Sequence, residues 1–200
     1  QIVVATGAIE RPLAFAMNDV PGVMLAGAVR DYIRLWGVCP GRRAVVFANN
    51  DDAYRTALAL HGAGAEVAAV VDSRAEAEGP LPAEVRARQI PVHTSHGIAK
   101  VRGSKRVEGV EIGRIARNGQ IGGAGATLDC DLVAMSGGWS PVVHLYSHCG
   151  GKLGWDAEGL MFRPNPEAGA PIGPDGRVNT RCAGTANGEL MTAAALADAA

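Results

Sequence analysis

The chain has 200 residues, 48% of them hydrophobic and 20% charged, so it can bury one core of ordinary size or two small ones. Its 19 basic and 20 acidic residues are spread along the chain and give a net charge of −1, which offers no basic stripe to a nucleic acid or to acidic lipid. Apolar stretches fall far short of the ~18 residues of a membrane span, and the N-terminus lacks a signal-peptide pattern, so we expect a cytoplasmic protein that binds neither nucleic acid nor membrane.

Both ends of the sequence lie within predicted elements. Residues 1–8 form an apolar strand with no turn or cap before it, and a helical pattern over 189–200 continues to the last residue. We therefore expect the chain to be a piece of a longer polypeptide.

A strand, helix, strand unit is predicted up to residue 72. An apolar strand runs up to Ala48, a helical pattern covers 54–64, and a second buried strand over 66–71 ends in Asp72. This is the frame of a dinucleotide-binding unit, in which a G-x-G-x-x-G turn follows the first strand and an acid lies about 20 residues further on. Here Asp72 supplies the acid, but the three glycine positions are Ala48, Asn50 and Ala53.

The turn without glycine leaves two interpretations open. Alanine can replace the first and third glycines where φ stays negative, and asparagine tolerates left-handed φ better than other non-glycine residues, so a nucleotide can still bind at this turn. The N–H groups at the start of the helix could then bind phosphate, although Asp51 and Asp52 would compete for them. The unit is either a nucleotide site or a Rossmann-like unit that only packs. The candidate residues of the turn are Ala48, Asn49, Asn50 and Asp51.

Asp72 is the strongest single candidate for a cofactor contact, and Ser73 and Arg74 complete this group. A carboxylate at the end of the second strand can bind both ribose hydroxyls and repels a 2′-phosphate, which favours NAD. Arg74 could instead accept that phosphate. The alternative for Asp72 is a solvated charge at a strand end.

The second half of the chain is predicted to be rich in strands and turns. Strands are expected over 97–102, 107–114 and 130–135, with a glycine-rich connection at 119–125. The proline-rich segment 163–176 is predicted to be a long irregular loop, followed by a strand within 177–182.

No catalytic or metal site is predicted. The four cysteines form no C-x-x-C motif and are expected to be free, buried thiols, which disfavours a dithiol reductase. His144, His148 and Cys149 would share a face if 142–149 were helical, but no fourth metal donor is evident nearby. His93 and His96 are expected on opposite faces of one strand.

Several segments resemble known flavoproteins. Residues 3–12 (V-V-A-T-G-A-I-E-R-P) resemble the A-T-G segment of flavoproteins with two dinucleotide-binding domains. The chain is most similar to one branch of these proteins, the alpha subunits of heterotetrameric sarcosine oxidase. That branch also has a turn without glycine, and its matching segments follow one another in the same order over nearly the whole chain. The further matching segments are 20–30, 40–47, 67–74, 136–145, 150–153 and 183–188.

This resemblance implies an α/β fold with a Rossmann-like NAD domain at 41–135, inserted in the remainder of an FAD-binding domain at 1–40 and 136–200. The architecture is that of the disulfide reductases without the redox disulfide. NAD is implied as the cofactor of the insert and FAD as that of the full-length subunit. The resemblance adds as candidate cofactor contacts Thr6, Gly7, Gly137, Gly138, Gly184 and Thr185.

The resemblance also implies what the parent protein does. With beta, gamma and delta subunits as partners, it would oxidise sarcosine to glycine with O2 and pass the one-carbon unit to tetrahydrofolate, while this chain alone would be inactive. Two alternatives remain open: a scaffold module with a nucleotide-free Rossmann fold, and the alpha subunit of a related opine or amine dehydrogenase.

Overall fold

A computed structural model describes residues 1–122 and 125–199. The strands, in chain order, are β1 (Ile2–Val4), β2 (Ala8–Glu10), β3 (Val23–Leu25), β4 (Arg43–Ala48), β5 (Glu66–Asp72), β6 (Val92–Thr94), β7 (His96–Arg102), β8 (Gly109–Arg114), β9 (Thr127–Asp129), β10 (Leu132–Ser136), β11 (Trp139–Pro141), β12 (Leu153–Asp156), β13 (Met161–Pro164) and β14 (Thr180–Cys182). The helices are α1 (Ala26–Trp36), α2 (Asp52–Gly62), α3 (Pro80–Ala87), α4 (His144–His148) and α5 (Thr192–Ala199), with a 3-10 turn at Gly184–Asn187.

The chain divides into two compact units. The sheet unit comprises residues 11–138, and the flanking unit comprises residues 1–10 and those from Trp139 onwards. The sheet unit thus begins earlier than the boundary predicted at residue 41. The reason is that β3 pairs with β10 and that α1 packs on α2, where the Thr56 hydroxyl donates to the carbonyl of Ala26 at 2.9 Å. Which unit binds which nucleotide stays a prediction.

A parallel five-stranded sheet in the order β3-β10-β4-β5-β6 is the centre of the sheet unit. Its inner strands are almost continuous apolar runs, and every residue of β10 is buried, as is typical of parallel strands covered on both faces. Successive residues of β4 point to opposite faces: Val46 packs among the helices, while Val45 and Phe47 pack towards the antiparallel sheet β7-β8-β9.

The strand, helix, strand prediction is confirmed by β4, α2 and β5, and the later strands by β7, β8 and β10. The strand β3 and the helices α1 and α3 were not predicted from the sequence. The hairpin β12–β13 was also missed and extends to Pro164, into the segment predicted to be an irregular loop. Residues 123 and 124 of the predicted connection lie outside the described residues.

The flanking unit contains three two-stranded pairings: β1 with β14 (parallel), β2 with β11 and β12 with β13 (both antiparallel). The strand predicted within 177–182 is β14. The predicted C-terminal helix is α5, with Ala200 outside the described residues. No helix in the described part of the chain is long and apolar enough to cross a membrane.

Two predictions about cysteine and histidine side chains are wrong. The four cysteines are free, but only Cys130 is buried; Cys39 and Cys149 are exposed, because they lie in the segments that follow α1 and α4. The rings of His93 and His96 are not on opposite faces, since their centroids are 5.7 Å apart. Ser95, with a φ of 56°, breaks the strand between them and turns the chain from β6 into β7.

Candidate functional site

The carboxyl ends of four parallel strands meet at one edge of the sheet. Ser136 of β10, Ala48 of β4, Asp72 of β5 and Thr94 of β6 are register partners across the sheet. The segments that follow these strands therefore lie at the same edge, where open α/β sheets bind ligands. The predicted residues brought together here are Ala48, Asn49, Asn50, Asp51, Asp72, Ser73, Arg74, Gly137 and Gly138.

The turn after β4 does not use left-handed backbone. Asn50 does not have a positive φ, so the tolerance of asparagine for left-handed backbone is not used there. Its side chain explains its position instead: Nδ2 donates to Ser136 O at 3.2 Å and to Ser136 Oγ at 3.1 Å, and Oδ1 accepts the N–H of Ala53 at 3.3 Å. Asn50 thus ties the first turn of α2 to the end of β10.

Asp72 is completely buried, with 0% of its surface exposed. Tyr54 Oη donates to its Oδ2 at 2.8 Å, and the backbone N–H of Arg74 donates to Oδ1 at 2.9 Å. The Arg74 side chain adds bonds from Nε to Oδ1 at 3.1 Å and from Nη2 to Oδ2 at 2.8 Å. Both oxygens of the Asp72 carboxylate are therefore engaged, which leaves neither of them free for the hydroxyls of a ribose. Because Asp72 is buried, it is not a solvated charge at a strand end either.

Arg74 links this buried carboxylate to the N-terminus of α2. Its Nη1 lies 2.8 Å from Asp51 Oδ1, and 32% of its side chain is exposed. Hydrogen bonding to Asp72 and to Asp51 raises the pKa of the Arg74 guanidinium above its usual range. Burial, and then the hydrogen bond to Asp72, raise the pKa of Tyr54, which stays a neutral donor. We call Asp51, Tyr54, Asp72 and Arg74 the clamp.

A second acid at the start of α2 is paired with α1. Arg30 Nη2 lies 2.8 Å from Asp52 Oδ2, and Arg30 Nη1 donates to the carbonyl of Asp52 at 3.1 Å. Arg55 Nε is 3.4 Å from the other oxygen of Asp52. The negative charge that Asp52 adds at the helix N-terminus is therefore largely offset, which removes one obstacle to an anion there.

Gly137 and Gly138 serve the packing of the chain after β10. A Cβ at Gly137 would lie 2.8 Å from Arg11 O and 2.9 Å from Pro12 O, so a larger residue would displace the backbone. Gly138 has a φ of 87°, which favours glycine. The sharp turn at these glycines leaves the end of β10 beside the turn after β4.

The residues predicted for the flavin lie in the flanking unit. A Cβ at Gly7 would be 3.8 Å from Thr185 Oγ1, so these two residues are neighbours. Thr6 Oγ1 donates to Val142 O at 2.6 Å, and the N–H of Gly184 donates to Asp198 Oδ2 at 2.7 Å. The structure thus groups Gly7 with Thr185, and it engages Thr6 and Gly184 elsewhere within the same unit.

Tyr54 is the residue that sequence reasoning missed. Its ring belongs to the core and its hydroxyl reaches Asp72, which is 18 residues away in sequence. Only its residue type gave a signal, because a buried tyrosine hydroxyl normally has a hydrogen-bond partner.

The dinucleotide frame therefore fits this edge in part. The aligned strand ends, the start of α2 and Asp72 occupy the positions expected of such a site, but the carboxylate of Asp72 is buried and already hydrogen-bonded. Arg74, whose side chain is 32% exposed, is accessible beside this buried carboxylate. Chemically, the edge offers a planar cation and backbone N–H groups.

No family model matches the chain. Two solved structures that resemble the chain are each less than 25% identical to it, so they concern the fold alone. T. acidophilum thioredoxin reductase has a TM-score of 0.67 and 16% identity, with 96% of this chain and 60% of that chain covered. L-proline dehydrogenase from P. horikoshii has a TM-score of 0.58 and 21% identity, with 93% and 30% covered. These neighbours confirm the predicted α/β, disulfide-reductase-like fold.

Curated relatives extend the similarity to a family. The sarcosine oxidase alpha subunit of Rhizobium meliloti (strain 1021) is 40% identical over 158 residues, which are 79% of this chain and 15% of the relative. That of Corynebacterium sp. (strain P-1) is 35% identical over 202 residues, which cover 100% of this chain and 20% of the relative. The chain thus spans a fifth or less of the length of these relatives. By sequence, the chain corresponds to one stretch of the sarcosine oxidase alpha subunits.

Proposed function

We propose that the chain is the nucleotide-binding part of the alpha subunit of an amine-oxidising flavoprotein, and that its sheet unit binds NAD. The observation that carries this proposal is the 35% identity to an alpha subunit over the full chain. The alignment of Ser136, Ala48 and Asp72 at one sheet edge supports it, because that edge is the ligand position of open α/β folds.

For the parent protein, we propose the oxidation of sarcosine to glycine with O2 and transfer of the one-carbon unit to tetrahydrofolate. Beta, gamma and delta subunits would be its partners, and FAD would be the second cofactor of the full-length subunit. A bound NAD would supply a nicotinamide for hydride transfer. The part of this chain is to bind and orient the dinucleotide, since no catalytic residue is assigned to it.

One observation favours a second candidate function. The carboxylate of Asp72 is fully engaged without a ligand, because Tyr54 and Arg74 donate to both of its oxygens. A Rossmann-like scaffold that binds no nucleotide would look the same. This scaffold would serve the assembly of subunits rather than cofactor binding.

Thermal unfolding with and without millimolar NAD separates the two candidates. A ligand that binds only the folded state stabilises it by RT ln(1 + [L]/Kd), about 2.7 kcal/mol when the ligand is at 100 times its Kd. We expect a clear rise in the melting temperature of the sheet unit. No rise at millimolar NAD would favour the scaffold.

Flavin content tests the proposed division of cofactors. We expect the purified chain to be colourless and inactive towards sarcosine, since the flavin belongs to the full-length subunit. A yellow preparation with stoichiometric flavin would contradict this. Absorbance near 450 nm and denaturing release of the chromophore measure it.

A further inference from the structure

We infer that the exposed side of α1 is a self-association surface, on which the helix of a second copy of this chain packs antiparallel to the first. We call this surface the α1 face; it consists of Ala28, Tyr32, Leu35 and Trp36. It contains none of the candidate nucleotide-binding residues, so the inference goes beyond the proposed function and does not depend on it.

The first step is exposure. In the described part of the sheet unit, the exposed large hydrophobic side chains are that of Met17 and those within residues 32–38. Leu35 is 70% exposed and Trp36 is 71% exposed, whereas Val29 on the inner side of the same helix is completely buried. A contiguous apolar patch on a unit that is otherwise well covered marks an interaction site.

The second step is rigidity. The C-terminus of α1 is closed at Gly37, which has a φ of 64°, and the N–H of Val38 donates to the carbonyl of Tyr32 at 3.0 Å. This is the bonding pattern of a Schellman turn, which fixes the last turn of the helix. The N-terminus of α1 is tied to α2, because the Thr56 hydroxyl donates to the carbonyl of Ala26. A surface that is ordered beforehand loses little entropy on association.

The third step is shape. Ala28, Tyr32 and Trp36 are four residues apart, so they form one ridge along the helix. The ridge begins with a small side chain and ends with a large one. When two such ridges pack antiparallel about a two-fold axis at Tyr32, Trp36 of each copy lies over Ala28 of the other. The ridge is therefore complementary to itself, as a closed dimer requires.

The fourth step is cost. The ridge contains no charged side chain, and Asp31 lies about a quarter turn away from it, at the rim. Arg34 lies on the other side of α1, where it lines a groove with Leu58 of α2. Pairing therefore buries no charge. Two three-turn helices cover less than the roughly 1,200 Å² of a stable interface, so we expect a weak dimer with a Kd on the order of 10 to 100 µM.

Sedimentation equilibrium of the 200-residue chain between about 1 and 500 µM tests the inference. We expect a monomer–dimer equilibrium for the wild type. Trp36→Ala should weaken the dimer at least about tenfold, because it removes the aromatic anchor. Trp155→Ala is the matched control: this residue is 56% exposed but lies in β12 of the flanking unit, so its removal should leave the dimer unchanged.

An exchange of the two ends of the ridge tests the register. Ala28→Trp alone should also weaken the dimer at least about tenfold, because two indoles would then compete for the space at each end. The double variant Ala28→Trp/Trp36→Ala places each indole over an alanine again, so we expect a Kd within about threefold of the wild type. Non-specific association of apolar patches would show no such recovery. Circular dichroism checks that each variant is folded.

Cross-linking locates the two-fold axis independently of these variants. Tyr32→Cys, in a background with Cys39→Ser and Cys149→Ser, should form a disulfide-linked dimer on mild oxidation, since the two introduced thiols would face each other. Asn118→Cys in the same background, in an exposed turn, is the control and should stay monomeric.

Three results would overturn the inference: a wild type that is monomeric at about 500 µM, a dimer that Trp155→Ala weakens as much as Trp36→Ala does, or a folded double variant that stays monomeric. If a variant at residue 28 does not fold, Tyr32→Cys decides, and cross-linking no faster than that of Asn118→Cys contradicts the proposed pairing.

Discussion

Replacing Tyr54 by phenylalanine isolates the most deeply buried hydrogen bond of the clamp. The ring of Tyr54 is packed in the core beneath the sheet, and phenylalanine preserves that packing. The change removes only the hydroxyl that donates to Asp72 Oδ2 at 2.8 Å. Because Arg74 Nη2 bonds to the same oxygen at 2.8 Å, the carboxylate keeps one partner there.

The expected loss of stability follows from this geometry. A hydrogen bond to a charged group contributes about 1.5 to 3 kcal/mol, and the remaining bond from Arg74 puts the loss near the lower end, about 1.5 to 2 kcal/mol. Urea denaturation measures it as a lower midpoint with an unchanged slope. Tyr32→Phe is the control: this tyrosine is 46% exposed, and its change should cost less than about 0.5 kcal/mol.

The same bond sets a dependence on alkaline pH. Burial and Asp72 raise the pKa of Tyr54 in the folded state above its ordinary value of about 10, so the unfolded chain loses this proton first. The contribution of Tyr54 is therefore complete below about pH 10 and is lost as the pH rises above it. The stability difference between wild type and Tyr54→Phe should shrink over that range. A difference that is below 0.5 kcal/mol at neutral pH, or that grows at alkaline pH, would refute the reasoning.

Asn50→Gly should destabilise the sheet unit by about 1 to 2 kcal/mol in the same urea assay, because it removes the hydrogen bonds to Ser136 and to the start of α2. A variant more stable than the wild type would show instead that the backbone at residue 50 favours glycine. Asn118→Gly, in an exposed turn, is the control and should cost less. Titration with Ellman's reagent should find the exposed thiols of Cys39 and Cys149 reactive in the folded chain. Cys130 should react only on unfolding, since burial raises the pKa of its thiol to about 12. Rapid reaction of Cys130 in the folded chain would contradict its buried position.

The sequence predicted β4, β5 and β10 well because they are buried, continuous apolar runs, whereas the three-residue strand β3 is too short to show such a run. Asp72 was placed correctly at a strand end, but its direction was not predictable, because its partner Tyr54 belongs to another element. The contact between His93 and His96 depends on the left-handed backbone of Ser95 between them. The pattern of hydrophobic residues does not predict that conformation. Local pattern therefore fixes where the strands end, whereas long-range contacts decide which side chains remain free for a ligand.

The position of β10 has a consequence for how the chain folds during synthesis. This strand lies between β3 and β4 in the sheet, although in sequence it comes long after both of them, near the end of the sheet unit. Until the ribosome has released Ser136, β3 and β4 have an unfilled gap between them, in which the backbone N–H and C=O groups of both strands lack their partners. Such non-local pairing folds slowly and exposes the chain to aggregation. A chain that stops short of Leu132 should therefore be retained by chaperones or degraded, however stable α2 and its neighbouring strands are.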